Sequence, residues 1–397
     1  MSERNTARLP DGRVDDGIDR EALTASLRTF MARDVVPHLA GWESAGQMPR
    51  TLYAQAGAVG LLGLGFPERF GGVPCTNRTT IAVIDVLASA GSGGFIAGLL
   101  SHGIALPAMV AIGDDDVCER VIPGVLRGET IAALAVTEPS GGSDVANLRT
   151  TAVRDGDDYV LTGGKTFITS GVTADWLTVA ARTGGPGMGG VSLFAVPGDS
   201  VGLRRHALEK MGWWCSDTAE IGLDAVRVPA SLRIGGEGEG FLALMANFNR
   251  ERLMLAAMAV AFARVCVDDA RQWAASRETF GRPLIARQLV RHKLVAMETS
   301  VRAARAFLLE TTDAVDLAAA GGDGDDAGLV AEVCMVKNHA TAMLETIAGE
   351  AVQLLGGMGY MRGVRVERIF RETKVLSIGG GASEVLAELA ARQLGIG

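Results

Sequence analysis

The apolar periodicity of this chain changes twice, from helical spacing to strand-like runs and back, and few folds place a β region inside an otherwise helical chain. From Arg20 to about Arg127 apolar residues recur three and four apart, as in Leu23, Leu27, Phe30 and Met31, with Gly and Pro punctuation between Gly57 and Gly72. From Ile131 to about Ile234 the texture becomes short β-branched runs, DYVLTG, KTFIT, WLTVAART and VSLFAVPG, separated by Gly, Asp and Pro turns. Long helical patterns return from Gly240, broken at Ala320–Gly328, where a Gly- and Asp-rich solvated loop between two antiparallel helices is expected. The expected class is α+β: a loose tail at 1–19, a helical domain at 20–130, a β domain at 131–236 and a second helical domain at 237–397. No internal repeat is visible.

Composition narrows the function classes. The 397 residues suffice for two or three domains, and 52 glycines predict frequent tight turns and close backbone approaches. The formal charge is −8, and Lys and Arg are scattered rather than gathered into a run, which argues against nucleic acid. Cys75, Cys118, Cys215, Cys266 and Cys334 are odd in number and far apart, suggesting neither a disulfide framework nor a metal clip, so a reducing cytoplasm is expected. The start, MSERNTARLPDGRVDDGID, has no apolar core and reads as a tail rather than a signal peptide. Phe95–Ile112 is apolar enough to raise a membrane span, but Ser101, His102 and Pro107 would leave polar groups without partners in lipid. A buried helix with an irregular middle is expected there.

Ala133–Arg149 reads ALAVTEPSGGSDVANLR and runs into TTAVRDGDDYVLTGGKTFITSG. KMGWWCSDTAEI follows at Lys210–Ile221, SRETFGRPL at Ser276–Leu284 and QLLGGMGYMRGVRVERIFRETK at Gln353–Lys374. In content, order and spacing this set resembles the acyl-CoA dehydrogenase family, where TEP, GSD and G-K-x-[WF]-I-T-[NS] recur in that order. The resemblance extends from PHLAGWESAGQMP and GLLGLGFPERFGG near the front to the tail. It implies an N-terminal helical domain, a central β-barrel-like domain and a C-terminal four-helix bundle, with FAD between them and a homotetramer, a dimer of dimers, as the assembly.

An α proton of a thioester is weakly acidic. Its removal needs a carboxylate base, a hydride acceptor on the opposite face of the carbon chain, and donors for the carbonyl oxygen where charge collects. Most of the family carries the base near the C-terminus, as the Glu of a Y-E-G-T motif, but IGGGASEV here has Gly380 at that position. A subgroup resembling long-chain and isovaleryl-CoA dehydrogenases keeps the base on an earlier helix, in an E-R-L sequence, with Gly at the later position. Asn249-Arg250-Glu251-Arg252-Leu253 matches it, so Glu251 is the expected base and the two departures compensate. Outside that context Glu251 would be a solvated helix residue between two arginines. The resemblance also implies that the Gly380 backbone N–H, with a flavin ribityl hydroxyl, holds the thioester oxygen.

For the cofactor, the resemblance puts Val136, Thr137 and Ser143 beside the isoalloxazine ring, with Phe167 and Thr169 on its other flank and Ser143 also touching substrate. Arg277, Thr279 and Phe280 match contacts made across a subunit interface, where the Arg fork suits a diphosphate. Gln288, Gln353 and Gly357 complete that set, and Glu384 lies towards the flavin. Arg252 implies a substrate on a phosphate-bearing carrier, coenzyme A or acyl carrier protein. Each of these residues could also be an ordinary strand, turn or helix-surface residue. Two departures stand out: Ala382 replaces the usual Thr, removing one hydroxyl from the flavin tail, and Asn249 stands where Asp is common. The expected reaction converts an acyl thioester to its trans-2-enoyl form, Glu251 taking the α proton and FAD the β hydride, with electrons passed to an electron-transfer flavoprotein. An oxidase using oxygen, or a non-catalytic acyl-carrier or flavin-binding scaffold, are the alternatives.

Overall fold

The structure, a computed structural model, describes residues 7–8, 13–321 and 326–396. Two short strands, β1 (Ala7–Arg8) and β2 (Val14–Asp15), pair antiparallel. Eight helices follow: α1 (Arg20–Phe30), α2 (Leu39–Ala45), α3 (Arg50–Ala58), α4 (Asn77–Ala88), α5 (Gly93–Leu99), α6 (His102–Ala105), α7 (Pro107–Ile112) and α8 (Asp115–Leu126). Then come strands β3 (Ala132–Ala135), β4 (Thr151–Asp155), β5 (Asp158–Thr169), β6 (Trp176–Arg182), β7 (Val191–Pro197), β8 (Leu203–Ala207), β9 (Thr218–Pro229) and β10 (Arg233–Ile234). The long helix α9 (Gly240–Ser276) leads through a hairpin, β11 (Glu278–Thr279) and β12 (Arg282–Pro283), to α10 (Gln288–Ala319), α11 (Asp326–Leu355), α12 (Arg365–Ile378) and α13 (Ser383–Gln393). The helix, sheet, helix order read from periodicity is the order found.

Packing groups these elements into two compact units. One comprises the described residues up to Ala40, Pro74–Gly93 and Asn249 onward; the other comprises Gly41–Val73 and Gly94–Phe248. Cuts near 130 and 236, expected from the change in texture, do not coincide with these units. The reason is burial: α6 to α8 cover apolar surface of the sheet, whereas α1 and α4 pack with the C-terminal helices.

In the sheet-bearing unit the strand order is β10-β7-β6-β4-β5-β9-β8, with β3 lying parallel beside β6. WLTVAAR and VSLFAVP are buried at nearly every position, as strands covered on both faces must be, which explains their uninterrupted apolar runs. β5 is different. Its ladder with β9 shifts register between Leu161 and Gly163 and again between Lys165 and Ile168. The suspected span breaks between Leu99 and His102, where its two halves bend by 52°. Ser101 donates to the Ala132 carbonyl at 2.9 Å, and His102 Nε2 lies 2.9 Å from the Leu62 carbonyl, so both polar groups are satisfied inside the unit. Among the described residues no single helix is long and apolar enough to cross a membrane.

In the other unit α10 buries Val290, Leu294, Met297, Val301, Ala304 and Leu308, a stripe at helical spacing. α4 is fixed to α10 by charge: Arg78 pairs with Asp313 and Arg305 with Asp85, while Asp316 accepts the Asn77 and Arg78 amides at the start of α4. The tail expectation at 1–19 is corrected in its second half. Val14 and Asp16 are buried, and Asp16 accepts the Thr76 amide and hydroxyl at 2.9 and 2.7 Å and the Thr79 hydroxyl at 2.6 Å. A carboxylate with that many fixed donors ties the segment to α4 although no apolar periodicity announces it. Residues 1–6 and 9–12 of the tail, and 322–325 of the expected Ala320–Gly328 loop, lie outside the described residues. Asp16→Ala would strand three buried donors and is expected to cost on the order of 2 kcal/mol. Urea unfolding reads the loss, together with faster hydrogen exchange confined to residues 14–18 and the first turn of α4.

Candidate active site

The TEP segment is braced by a buried ion pair. Lys165 has no exposed surface, and its ammonium donates to the Val136 carbonyl at 3.0 Å and to Glu138 at 2.8 Å. Glu138 also accepts the amides of Arg149 and Thr150 at 2.6 and 2.9 Å. Burial pushes the Glu138 carboxyl up, but these donors outweigh it and hold it near about 2. Burial also lowers Lys165 to about 8 against the pull of Glu138. The pair is therefore charged at neutral pH and clamps the loop that follows β3 onto β5. Val136 is buried under this clamp, Thr137 is half-buried and accepts the Thr166 amide at 2.9 Å, and Ser143 is exposed at the loop tip.

One residue past the clamped Thr166, Phe167 sits in the left-handed region at φ 60° with 70% of its surface exposed, and half-buried Thr169 follows. A bulky aromatic pays for that backbone conformation and gains no burial here, the pattern expected where a flat ligand covers the ring. The other unit repeats the feature. Phe280 and Gly281 are the central residues of the β11–β12 hairpin, both at positive φ (51° and 76°), a turn that favours Asn-Gly, and Phe280 is 96% exposed. Arg287 stacks on that ring 5.3 Å from its centroid and donates to the Thr279 carbonyl at 2.9 Å. Arg277, Gln288, Gln353 and Gly357 are exposed, Thr279 is half-buried, and a Cβ at Gly357 would meet nothing within 4 Å. Most of these side chains are thus exposed to solvent, the condition a bound ligand on this face would need.

Glu251 and Gly380 converge. A Cβ added to Gly380 would stand 3.9 Å from the Glu251 carboxyl carbon, so the helix carboxylate lies within contact range of the point from which a side chain at 380 would start. That Cβ would also come within 2.7 Å of Leu255, and Gly380 has φ +66°. Moving the carboxylate back to position 380 therefore strains both backbone and core. Burial raises the Glu251 carboxyl to about 7, with the charges of Arg252 and Lys337 opposing it. A carboxylate poised near neutrality is suited to take a weakly acidic proton.

Arg252, expected to meet a phosphate-bearing carrier, is buried; its Nε donates to the Gly380 carbonyl at 3.0 Å and its Nη1 to Asn249 at 2.9 Å, so it grips the turn. Asn249, where Asp is common, serves here as the acceptor for that guanidinium. Two further residues were given no role by sequence reasoning. From α11, Lys337 donates to the Ser377 and Gly381 carbonyls at 3.1 and 2.9 Å, and Asn338 donates to the Ser383 carbonyl at 2.8 Å. A lone lysine inside the apolar run of α11 was the available signal. Ala382 caps α13 without a side-chain bond, and Glu384 in its first turn is exposed.

Lys165→Met is expected to cost about 3 kcal/mol or more, because it leaves Glu138 buried without its counter-charge. Thermal unfolding at pH 7 reads that loss, and Lys165→Met with Glu138→Gln together should recover part of it.

Three profiles cover the chain: the N-terminal domain of acyl-CoA dehydrogenases at residues 18–129, the middle domain at 133–226 and the C-terminal domain at 238–395. The mitochondrial long-chain specific acyl-CoA dehydrogenase of Sus scrofa is 34% identical over 386 residues, 95% of this chain and 86% of that protein. The crystal structure of acyl-CoA dehydrogenase from Geobacillus kaustophilus superposes with a TM-score of 0.89 at 34% identity, covering 95% of this chain and 98% of that one. A glutaryl-CoA dehydrogenase from Mycobacterium smegmatis, solved in complex with FADH2, superposes with a TM-score of 0.87 at 26% identity, covering 95% and 94%. With all three domains matched in order and relatives aligned over nearly the whole length, the chain belongs to the acyl-CoA dehydrogenase family of FAD-dependent oxidoreductases, with long-chain enzymes among its relatives.

Proposed function

We propose that this protein desaturates an acyl-CoA thioester between its α and β carbons and that Glu251 is the base. The observation that carries the reading is the convergence of Glu251 on the space above Gly380, in a setting whose burial raises the carboxyl to about 7. A base of that strength is ionised in about half the molecules at neutral pH and holds the proton it gains. The Gly380 N–H is the proposed donor to the thioester oxygen, which needs it most as the α carbon loses its proton. Bound FAD supplies the acceptor for the β hydride. Val136, Thr137, Ser143, Phe167 and Thr169 are the residues proposed to hold its ring, and Arg277, Thr279, Phe280, Gln288, Gln353, Gly357 and Glu384 its remainder. The exposed members of the second group are proposed to act on a neighbouring subunit of a homotetramer. Arg252 enters as the residue that fixes the Gly380 carbonyl, and the carrier's phosphates are left to other groups. The electron acceptor is assigned to an electron-transfer flavoprotein, and rapid oxygen uptake without an added acceptor would favour an oxidase instead.

Anaerobic mixing of FAD-loaded protein with a panel of acyl-CoA thioesters should bleach the oxidised flavin colour. In Glu251→Gln the rate should fall by about 10³-fold or more; bleaching that survives the change assigns the base elsewhere. Because the carboxylate must be ionised to act, kcat/KM of the unaltered protein should rise with pH through about 7 and level off above it. The same shift has a stability consequence of definite sign. A carboxyl whose folded value, about 7, lies above its ordinary 4.5 makes the folded state relatively less stable as pH rises between those values. Glu251→Gln should therefore unfold at nearly the same temperature as the parent near pH 4.5, and be more stable by on the order of 2 kcal/mol at pH 8.

A further inference from the structure

Lys337 lies on α11 with no exposed surface, and neither proton removal nor cofactor binding as described above uses it. Burying an ammonium is unfavourable unless its protons find acceptors and a counter-charge is near. Both conditions are met by one turn and one side chain. The acceptors are the carbonyls of Ser377 and Gly381, which flank Gly380. The groups facing the ammonium are Arg252 and Glu251 from α9, Cys334 from its own helix and Glu384 from α13. An apolar side chain would fill the same space without the desolvation penalty, so the charge itself has a consequence to be accounted for.

The turn around Gly380 is rich in glycine and would be free to reorient if nothing held it. It is held on each side: the Gly379 amide donates to the Val375 carbonyl at 2.8 Å, Arg252 holds the Gly380 carbonyl, and Lys337 holds that of Gly381. The peptide groups on either side of the Gly379–Gly380 unit are thus anchored, which restricts how that unit, and with it the Gly380 N–H, can turn. A donor aimed in advance stabilises developing charge without reorganisation during the reaction.

We propose that Lys337 is a positioning residue for the dehydrogenation, locking the 377–383 turn so that the Gly380 N–H stays aimed and keeping Glu251 ionised by its charge. This inference rests on Glu251 being the base. Burial and the nearby Arg252 lower Lys337 to about 8, so at neutral pH it carries its charge and opposes the rise of the Glu251 carboxyl.

The test compares Lys337→Met, Lys337→Arg and Glu251→Gln in FAD-loaded protein. It follows hydrogen exchange of residues 377–383, and kcat, KM and the acidic limb of kcat/KM against pH with an acyl-CoA. Lys337→Met should lower kcat by about 10-fold or more with KM little changed. Its acidic limb should move to higher pH, since a cation that favoured the carboxylate is gone, and exchange should quicken in 377–383 alone. Lys337→Arg keeps the charge and should keep the limb near its original position. Unchanged exchange and an unmoved limb in Lys337→Met overturn the proposal. Should Lys337→Met fail to hold FAD, Lys337→Gln, which retains donors without charge, decides: its limb must still move up, and a fixed limb overturns the proposal. If every variant at 337 unfolds, the residue is a brace for the fold and the proposal falls. Activity surviving in Glu251→Gln sinks the base assignment itself, a result independent of what the Lys337 variants do.

Discussion

A carboxylate kept out of water is reluctant to ionise, and the region around Glu251 is arranged about that reluctance. Burial raises the group to about 7, and two cations, Arg252 and Lys337, limit the rise. Both cations are themselves buried, and each donates to at least one carbonyl of the Gly380 turn. Base strength and turn geometry are therefore coupled. The side chains that set the charge environment of the carboxylate are the ones that fix the loop beside it.

The sheet-bearing unit uses the same device. Lys165 grips the Val136 carbonyl and pairs with Glu138, which in turn collects the Arg149 and Thr150 amides. Lys210 bonds the Trp213 carbonyl and the Thr218 hydroxyl at 2.9 Å each, and Arg205 holds the carbonyls of Val172, Ala174 and Gly198. Loops this rich in glycine and small residues have little apolar surface to bury, so packing cannot hold them. Charged donors placed beneath them supply directional constraints that the hydrophobic effect does not. Against that rigidity, Phe167 and Phe280 stand out as exposed aromatic rings on left-handed backbone. Such positions persist only where surrounding structure over-determines them, and the Lys165 brace and the β11–β12 hairpin do so.

The sequence by itself determined the succession of helices, strands and helices, because burial on one or two faces imprints its period on local residue order. WLTVAAR and VSLFAVP read as strands and are the most deeply covered ones in the sheet. Motif order named the family, and the pairing of Glu251 with Gly380 was visible as two compensating departures. Tertiary structure decided what depends on contacts between distant residues. Nothing local in the sequence pairs Arg252 with the Gly380 carbonyl, 128 positions away, which the fold brings to its Nε. Lys337 reads as an interruption in an apolar helix until the Gly381 carbonyl, 44 positions on, supplies its acceptor. The boundaries of the compact units follow the same rule: α4 is apolar enough to serve any core, and its ion pairs with α10 and the Asp316 hold on its first amides tie it to the C-terminal helices. Periodicity records which face of an element is buried, but a hydrogen bond's partner is a matter of three-dimensional proximity, and no local pattern encodes it.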